Sequence, residues 1–117
     1  MAGNRPAKVA EAVKREMADL LLKDIKDARV KSVIISPTNV EVSGDLRHVT
    51  IFVSIFANDI QKKEAMKGLD SAKGFIRTEI SERINLRFAP EIHFKLDESM
   101  DKANRIFELI EKTKVQD

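Results

Sequence analysis

The stretch HVTIFVSIF at residues 48–56 restricts the fold more than any other part of the chain. Every second residue from Val49 to Ile55 is β-branched, and the two phenylalanines of the stretch fall on the opposite face. Two apolar runs precede it, VKSVIIS and VEVS, separated by a turn or bulge at residues 37–39. Because Ser43-Gly44-Asp45 is typical of a turn, the sequence predicts an antiparallel hairpin.

The rest of the chain switches between helical and strand spacing. Apolar residues recur at helical intervals over residues 6–24 and 61–85, and PEIHFKLD at residues 90–97 alternates like a further strand. Pro6 suits the first turn of a helix, and Ser99 begins a short amphipathic C-terminal helix. The 117 residues fit a single domain, residues 1–117. The order of elements predicts an α+β fold with helices on one face of a three-stranded sheet.

The sequence also lacks the residues that several classes of function require. Without cysteine there are no disulfides, thiolate metal sites or thiol nucleophiles, and no hydrolase, zinc-protease or phosphate-loop motif is present. The two histidines, His48 and His93, are each interpreted as lone surface residues, and the acids at 97–101 as helix capping. We therefore predict no catalytic residue, no metal and no cofactor; the chain is not expected to be an enzyme.

The sequence gives no sign of a membrane span or of a secretory signal. No apolar run approaches the ~20 residues that a span needs, and the N-terminal residues lack the apolar stretch of a signal peptide. We expect a soluble intracellular protein.

The charge is unevenly distributed along the chain. Residues 1–31 carry eight Lys/Arg against five Asp/Glu and residues 60–90 carry seven against four, so each block is +3, whereas the two other blocks are each −2. This pattern fits a basic face on a nearly neutral body, and equally an ordinary solvated surface. All six aromatic residues are phenylalanine, mostly at positions predicted to be buried, which leaves little material for base stacking. If the protein binds RNA, we expect lysines and arginines on its helices to contact the phosphates.

The stretch SAKGFIR at residues 71–77 conflicts with a continuous helix. Gly74 costs about 1 kcal/mol relative to alanine in a helix interior, Lys73 falls near the middle of the apolar stripe, and Phe75 falls off it. A break at Gly74 would turn Phe75 into the core and Lys73 outward. The alternative is an unbroken helix in which glycine is tolerated and the lysine stem reaches to solvent.

In these motifs the chain resembles the ribosome-binding factor A family, which assists assembly of the small ribosomal subunit in bacteria and organelles. The likeness covers nearly the whole chain and rests on the order of short motifs: Arg5…Lys8-Val9, Lys26-Asp27-x-Arg29-Val30, Val42-Ser43-Gly44-Asp45-Leu46, Ala72-Lys73-Gly74-Phe75-Ile76-Arg77, Arg87-x-x-Pro90 and Phe94…Asp97-Glu98-Ser99. The resemblance implies a type II KH-like domain, helix-strand-strand-helix-helix-strand plus the C-terminal helix. An Ala-x-Gly kink, here Ala72 to Gly74, replaces the Gly-x-x-Gly loop of ordinary KH domains. Ala28 departs from the proline of many members, which leaves the geometry of that turn open.

The resemblance further implies a non-catalytic factor that binds the immature small ribosomal subunit and its 16S rRNA. It would assist late maturation and rRNA processing and take part in cold adaptation, in the bacterial cytoplasm or inside an organelle of a eukaryote; we expect a monomer. The residues predicted to contact RNA are Arg5, Lys8, Lys73, Gly74, Arg77, Arg83 and Arg87. For Arg83, covering the core edge remains an alternative. The alternative function is a protein-interaction adaptor that docks through its C-terminal amphipathic helix.

Overall fold

The computed structural model describes residues 5–101 of the chain. Within that range the elements follow in the order α1 (Arg5–Lys23), α2 (Ala28–Lys31), β1 (Ile34–Val42), β2 (His48–Phe56), α3 (Asp59–Ser71), α4 (Lys73–Arg83) and β3 (Glu91–Leu96). Residues 99–101 are helical, and the remainder of the predicted C-terminal helix lies outside the described residues. None of the helices between residues 5 and 101 combines the length and apolar character needed to cross a bilayer.

The three strands form one mixed sheet in the order β1-β2-β3. β1 and β2 pair antiparallel, which confirms the predicted hairpin, whereas β2 and β3 pair parallel. The interruption predicted at residues 37–39 is a bulge between Pro37 and Asn39 within a continuous β1. Proline is tolerated there because β1 is an edge strand and a bulge leaves a residue without a ladder partner.

The core lies on one face of the sheet. Every second residue of β2 points into it, with Val49, Ile51 and Val53 fully buried, while Phe56 on the opposite face is 82% exposed. The helices cover the inner face with residues at helical spacing: Val13, Met17 and Leu20 from α1, Ala65 and Leu69 from α3, and Ile76 and Ile80 from α4. The predicted α+β, KH-like class with helices on one face is confirmed.

The break in the long helical segment falls at Ala72 rather than at Gly74. α3 ends at Ser71 and α4 begins at Lys73, with Ala72 between them at φ −88° and ψ 0°. The Ala72 N–H donates to the carbonyls of both Gly68 and Leu69 at 3.1 Å, which tightens the last turn of α3. The Ala72 carbonyl then accepts from the N–H of Ile76 at 2.9 Å and starts the new helix.

The position of this break overturns the prediction for Phe75, which is 46% exposed rather than in the core. Because α4 has already begun, its inward residue is Ile76, and Phe75 lies about 100° from it around the helix. Phe75 instead lines a shallow surface depression beside Ile25 and Ala72. Lys73 stays out of the core, as predicted: its side chain is half-exposed, with its ammonium 3.3 Å from the Asp70 carboxylate.

The short helix α2 packs directly against α3. Asp27 caps α2 by accepting from the backbone N–H of Arg29 at 2.9 Å, and its carboxylate also accepts two hydrogen bonds from the Arg29 guanidinium. These hydrogen bonds hold the pKa of Asp27 below its usual value. Arg29 in turn donates to Ser71 Oγ at 3.2 Å, so α2 is tied to the end of α3 just before the break.

Candidate nucleic-acid interface

Arginines from three separate segments meet at one end of the molecule. Arg5 begins α1, Arg47 ends the β1–β2 turn, and Arg87 lies in the loop after α4; all three line a small open cavity of about 170 Å³. The other residues around this cavity are Asp45, Leu46, Leu86 and Phe88. Arg5 and Arg87 are predicted from the sequence, whereas Arg47, which directly follows the motif at residues 42–46, is missed.

The turn that carries Arg47 is held by its own side chains. Ser43 Oγ donates to Asp45 Oδ1 at 2.7 Å and accepts from the N–H of His48 at 2.9 Å. Asp45 Oδ1 also accepts from the backbone N–H of Arg47 at 3.1 Å, and these bonds lower the pKa of Asp45. Leu46 has φ 62°, a left-handed conformation that costs a non-glycine residue about 1–2 kcal/mol. The hydrogen bonds around it stabilise this strained turn and so position Arg47.

Arg77 joins this group through the loop that carries Arg87. Its Nη2 donates to the Ala89 carbonyl at 3.0 Å, which fixes one end of the guanidinium; within residues 5–101 its other N–H groups make no hydrogen bond. Lys73 lies one turn before Arg77 on the same side of α4. Lys8 is exposed on α1, one turn after Arg5. Of the predicted cations, Arg5 and Arg87 therefore line one cavity and Arg77 contacts the loop that carries Arg87, while Lys8 and Lys73 lie one helical turn from Arg5 and from Arg77.

We name Arg5, Arg47, Arg77 and Arg87 the basic pole. Among residues 5–101, none of the four lies within ion-pair distance of a carboxylate; cations elsewhere, such as Lys23 and Lys67, do. The acid beside the cavity, Asp45, accepts hydrogen bonds within the turn, and its negative charge offsets part of the charge of Arg47. Three arginines against one aspartate line the cavity, so the pole keeps a net positive charge, as an anion-binding surface requires.

The pole also carries an exposed aromatic side chain. Phe88 is 66% exposed, and the Arg87 guanidinium carbon lies 5.4 Å from its ring centroid. The expectation that most phenylalanines are buried is wrong: of the five between residues 5 and 101, Phe56, Phe75 and Phe88 are exposed, and Phe94 is only partly buried against the core. The sequence does hold a sign that Phe88 is exposed, because this residue lies in a loop and not in a segment with periodic apolar residues.

Arg83 has a different environment from the other predicted cations. Its guanidinium lies 2.8 Å from Asp19, 2.9 Å from Asp24 and 3.5 Å from both Glu16 and Glu79. The hydrogen bond to Asp19 is the main cause of its raised pKa. With carboxylates from two helices and a loop around it, Arg83 joins α4 to the end of α1. This arrangement favours the alternative role at the core edge, and we leave Arg83 out of the proposed RNA contact.

The Arg83 cluster gives a prediction for stability against pH. Hydrogen bonds from Lys23 and then from Arg83 lower the pKa of Asp19 below its ordinary value of 3.8. A lowered folded-state pKa means that the stabilisation is present above the unfolded-state value and is lost as the pH falls through the folded-state value. The Arg83→Met variant should therefore have a lower urea midpoint than wild type at pH ~7. When the pH is lowered to ~3, the free energy of unfolding of the variant should fall by less than that of wild type.

Lys23→Met is the matched control for this prediction, because Lys23 also pairs with Asp19, at 3.0 Å, but its side chain is 70% exposed. Lys23→Met removes one exposed pair, whereas Arg83→Met removes contacts to four carboxylates, so the control should lower the urea midpoint at neutral pH by clearly less. An Arg83→Met variant with the wild-type midpoint and the wild-type acid sensitivity would show that the cluster does not stabilise the fold.

Gly74 is a glycine that the fold itself does not require. Its φ is not positive, and a Cβ built on it would meet nothing within 4 Å. It is exposed in the first turn of α4, between Lys73 and Phe75. The structure therefore provides no packing reason for a glycine here, and close approach of a ligand backbone stays a prediction.

Taken together, the order of the elements and the three-stranded mixed sheet define an α+β, KH-like domain with a break between α3 and α4. A model of the ribosome-binding factor A family matches residues 5–110. The chain belongs to the ribosome-binding factor A family.

Individual relatives agree with this assignment. The ribosome-binding factor A of Prochlorococcus marinus (strain MIT 9303) is 45% identical over 114 residues, which cover 97% of this chain and 80% of the relative. The crystal structure of ribosome-binding factor A from Thermus thermophilus superposes with a TM-score of 0.66 at 20% identity, over 78% of this chain and 94% of that one. A homology model of the Thermus thermophilus factor, fitted into a cryo-EM map of its complex with the 30S subunit, gives a TM-score of 0.61 at 17% identity, covering 83% and 96%. At such identities the two structures establish the fold alone.

Proposed function

We propose that this protein is a non-catalytic assembly factor that binds the immature small ribosomal subunit and its 16S rRNA and assists late maturation and rRNA processing. The observation that carries the proposal is the basic pole, where arginines without ion-pair partners in the described chain converge from α1, the hairpin turn, α4 and the loop after it. Membership of the family supports the choice of partner, as does the fitting of the Thermus thermophilus factor into a 30S complex.

Binding at the pole would be driven by phosphates and shape. Arginine guanidinium groups present several N–H donors in a plane that matches a phosphate, and the four at the pole come from separate segments, so they suit a folded rRNA backbone. Each phosphate that they neutralise releases counterions, with a slope of log affinity against log salt of about −0.7 to −0.9 per contact. Four contacts would give a slope of about −3 to −4. Exposed Phe88 adds a surface on which one unpaired base can stack.

The factor would act by occupying its site and then leaving, with no reaction of its own. In this proposal it works as a monomer in the bacterial cytoplasm, or inside an organelle if its source is a eukaryote, and its role in cold adaptation follows from assisting rRNA folding. Purified protein incubated with precursor 16S rRNA should leave the length of the RNA unchanged. Shortening that is abolished by a point substitution would contradict this.

The function is tested by sedimenting the purified protein with small subunits isolated from cells during assembly, across a range of salt concentrations. We expect co-sedimentation with small subunits, little with large subunits, and a steep loss of binding as salt rises. The adaptor hypothesis depends on a segment that lies mostly beyond residue 101. It predicts salt-insensitive binding to a ribosome-free protein partner, so the same salt series separates the two.

A further inference from the structure

Both histidines of the chain lie together on the outer face of the sheet, beside the basic pole. His48 begins β2 and Glu91 begins β3, and the parallel ladder makes them Cα partners. His93 follows Glu91 by two residues, so its side chain emerges on the same face. The imidazole rings of His48 and His93 are stacked, with centroids 5.8 Å apart.

The two imidazoles turn a nitrogen toward the same carboxylate. His48 Nδ1 lies 3.5 Å from Glu91 Oε2, and His93 Nε2 lies 3.8 Å from Glu91 Oε1. One potential ligand atom from each of the three residues lies within 4.8 Å of the others. Around a tetrahedral zinc ion with bonds of about 2.0–2.1 Å, neighbouring ligand atoms are about 3.3 Å apart. Small side-chain rotations would therefore bring the three ligand atoms to the spacing of a coordination shell. All three side chains are exposed enough to rotate in this way.

We propose that His48, Glu91 and His93 bind a divalent transition-metal ion of the zinc class, with a fourth position open to solvent. Two imidazole nitrogens and one carboxylate oxygen are a ligand set that suits zinc, nickel, cobalt and copper and does not suit magnesium or calcium, which prefer oxygen alone. Neutral imidazoles supply the lone pairs, and the ion would offset the carboxylate charge between the two rings. The ladder register holds the three Cα positions in place before any metal arrives.

This site would place a fixed positive charge next to the basic pole. Arg47 precedes His48 in the chain, and its carbonyl accepts from the N–H of Glu91 at 2.8 Å. The proposal does not depend on RNA binding. No metal site is predicted from the sequence when each histidine is considered singly; the parallel register that joins them is a tertiary feature.

The experiment uses the full chain without any histidine tag. Because the chain has two histidines, both in this cluster, and no cysteine, binding through imidazole or thiolate can arise nowhere else. Calorimetric titration with zinc chloride should show one ion per chain, and cobalt should give the strong visible absorption of a tetrahedral imidazole complex. His48→Gln and His93→Gln should each weaken zinc binding at least tenfold and abolish the cobalt spectrum.

Glu98→Gln serves as a matched control, since it removes an exposed carboxylate outside the cluster and should leave the affinity unchanged. Zinc should also raise the melting temperature of the wild type and of Glu98→Gln but not of His48→Gln, whose folding is checked by circular dichroism. Absence of saturable zinc binding, or equal affinity in wild type and a folded His48→Gln variant, would overturn the proposal. Subunit binding measured with and without a chelator is a separate readout, so failure of the metal site and failure of the proposed function are distinguishable.

Discussion

Arg47→Glu combined with Arg87→Glu is expected to lower the affinity for the small subunit about 100-fold at moderate salt, since two phosphate contacts of about 1.4 kcal/mol each would be lost. Both side chains are exposed and line the same cavity at the basic pole. Loss of two contacts should also make the slope of log affinity against log salt shallower by about 1.4 to 1.8. The measurement is a binding titration against purified small subunits at several salt concentrations.

A charge-matched control is available at positions away from the pole. Lys31 and Lys63 are both exposed, and reversing both to glutamate changes the net charge by the same amount. Circular dichroism and urea unfolding would establish that both double variants are folded. If the folded Arg47/Arg87 variant binds like the Lys31/Lys63 control, with the same salt slope, the basic pole is not the RNA-facing surface.

Gly68→Ala is expected to destabilise the protein by about 1–3 kcal/mol, the usual range for overpacking a well-packed site. A Cβ at Gly68 would lie 2.8 Å from Cγ2 of Val30, a stiff side chain in the core, and 3.1 Å from Oδ1 of Asp27, which caps α2. The new methyl group would push α2 away from α3 and disturb the cap. The free energy of unfolding in urea measures this, and an unchanged midpoint would mean that the contact is not tight.

Gly74→Ala is the matched control with the opposite expected sign, because the same methyl group there meets nothing within 4 Å. Alanine should raise stability by up to about 1 kcal/mol through its better helix propensity. If Gly74 contacts RNA through close backbone approach, this stable variant should bind the subunit more weakly than wild type. Unchanged subunit binding would remove Gly74 from the proposed contact.

The elements with long, regular apolar patterns could be predicted from the sequence. α1, the hairpin and β3 each bury one face, so their residues repeat at the period of the element, and their bounds fall within a few residues of those predicted. The break in the long helical segment could also be predicted, because glycine and a misplaced lysine conflict with an apolar stripe.

Other features could not be predicted because they depend on contacts between distant segments. α2 has four residues, too few for a periodic pattern, and is defined by the Asp27 cap and its packing on α3. The break lies at Ala72 and not at the predicted Gly74, because the Ala72 N–H donates to the end of α3 and its carbonyl accepts from the start of α4. As a consequence, Phe75 lies at the surface.

The candidate site was predicted in part for the same reason. The motifs at residues 5–9 and 87–90 predict Arg5 and Arg87 as RNA contacts, and both line the cavity at the pole. Arg47 and Phe88 join them through the tertiary arrangement of the turn and the loop. For Arg83, the neighbours that decide its environment come mainly from α1 and the residues after it, far away in the sequence.

The parallel pairing of β2 with β3 brings the two sides of the basic pole together, so the pole is expected to form only when β3 has joined the sheet. The hairpin closes over a short turn, but the β2–β3 ladder must close a loop of roughly 40 residues, and its greater sequence separation predicts that it forms more slowly. Arg47 and Arg87 are brought together when Glu91 joins the ladder and donates to the Arg47 carbonyl. A chain emerging from a ribosome would therefore hold most of its positive charge, yet no pole, until β3 had been synthesised. The protein would therefore be able to bind a subunit only once the whole domain had folded, although most of its lysines and arginines had been synthesised earlier.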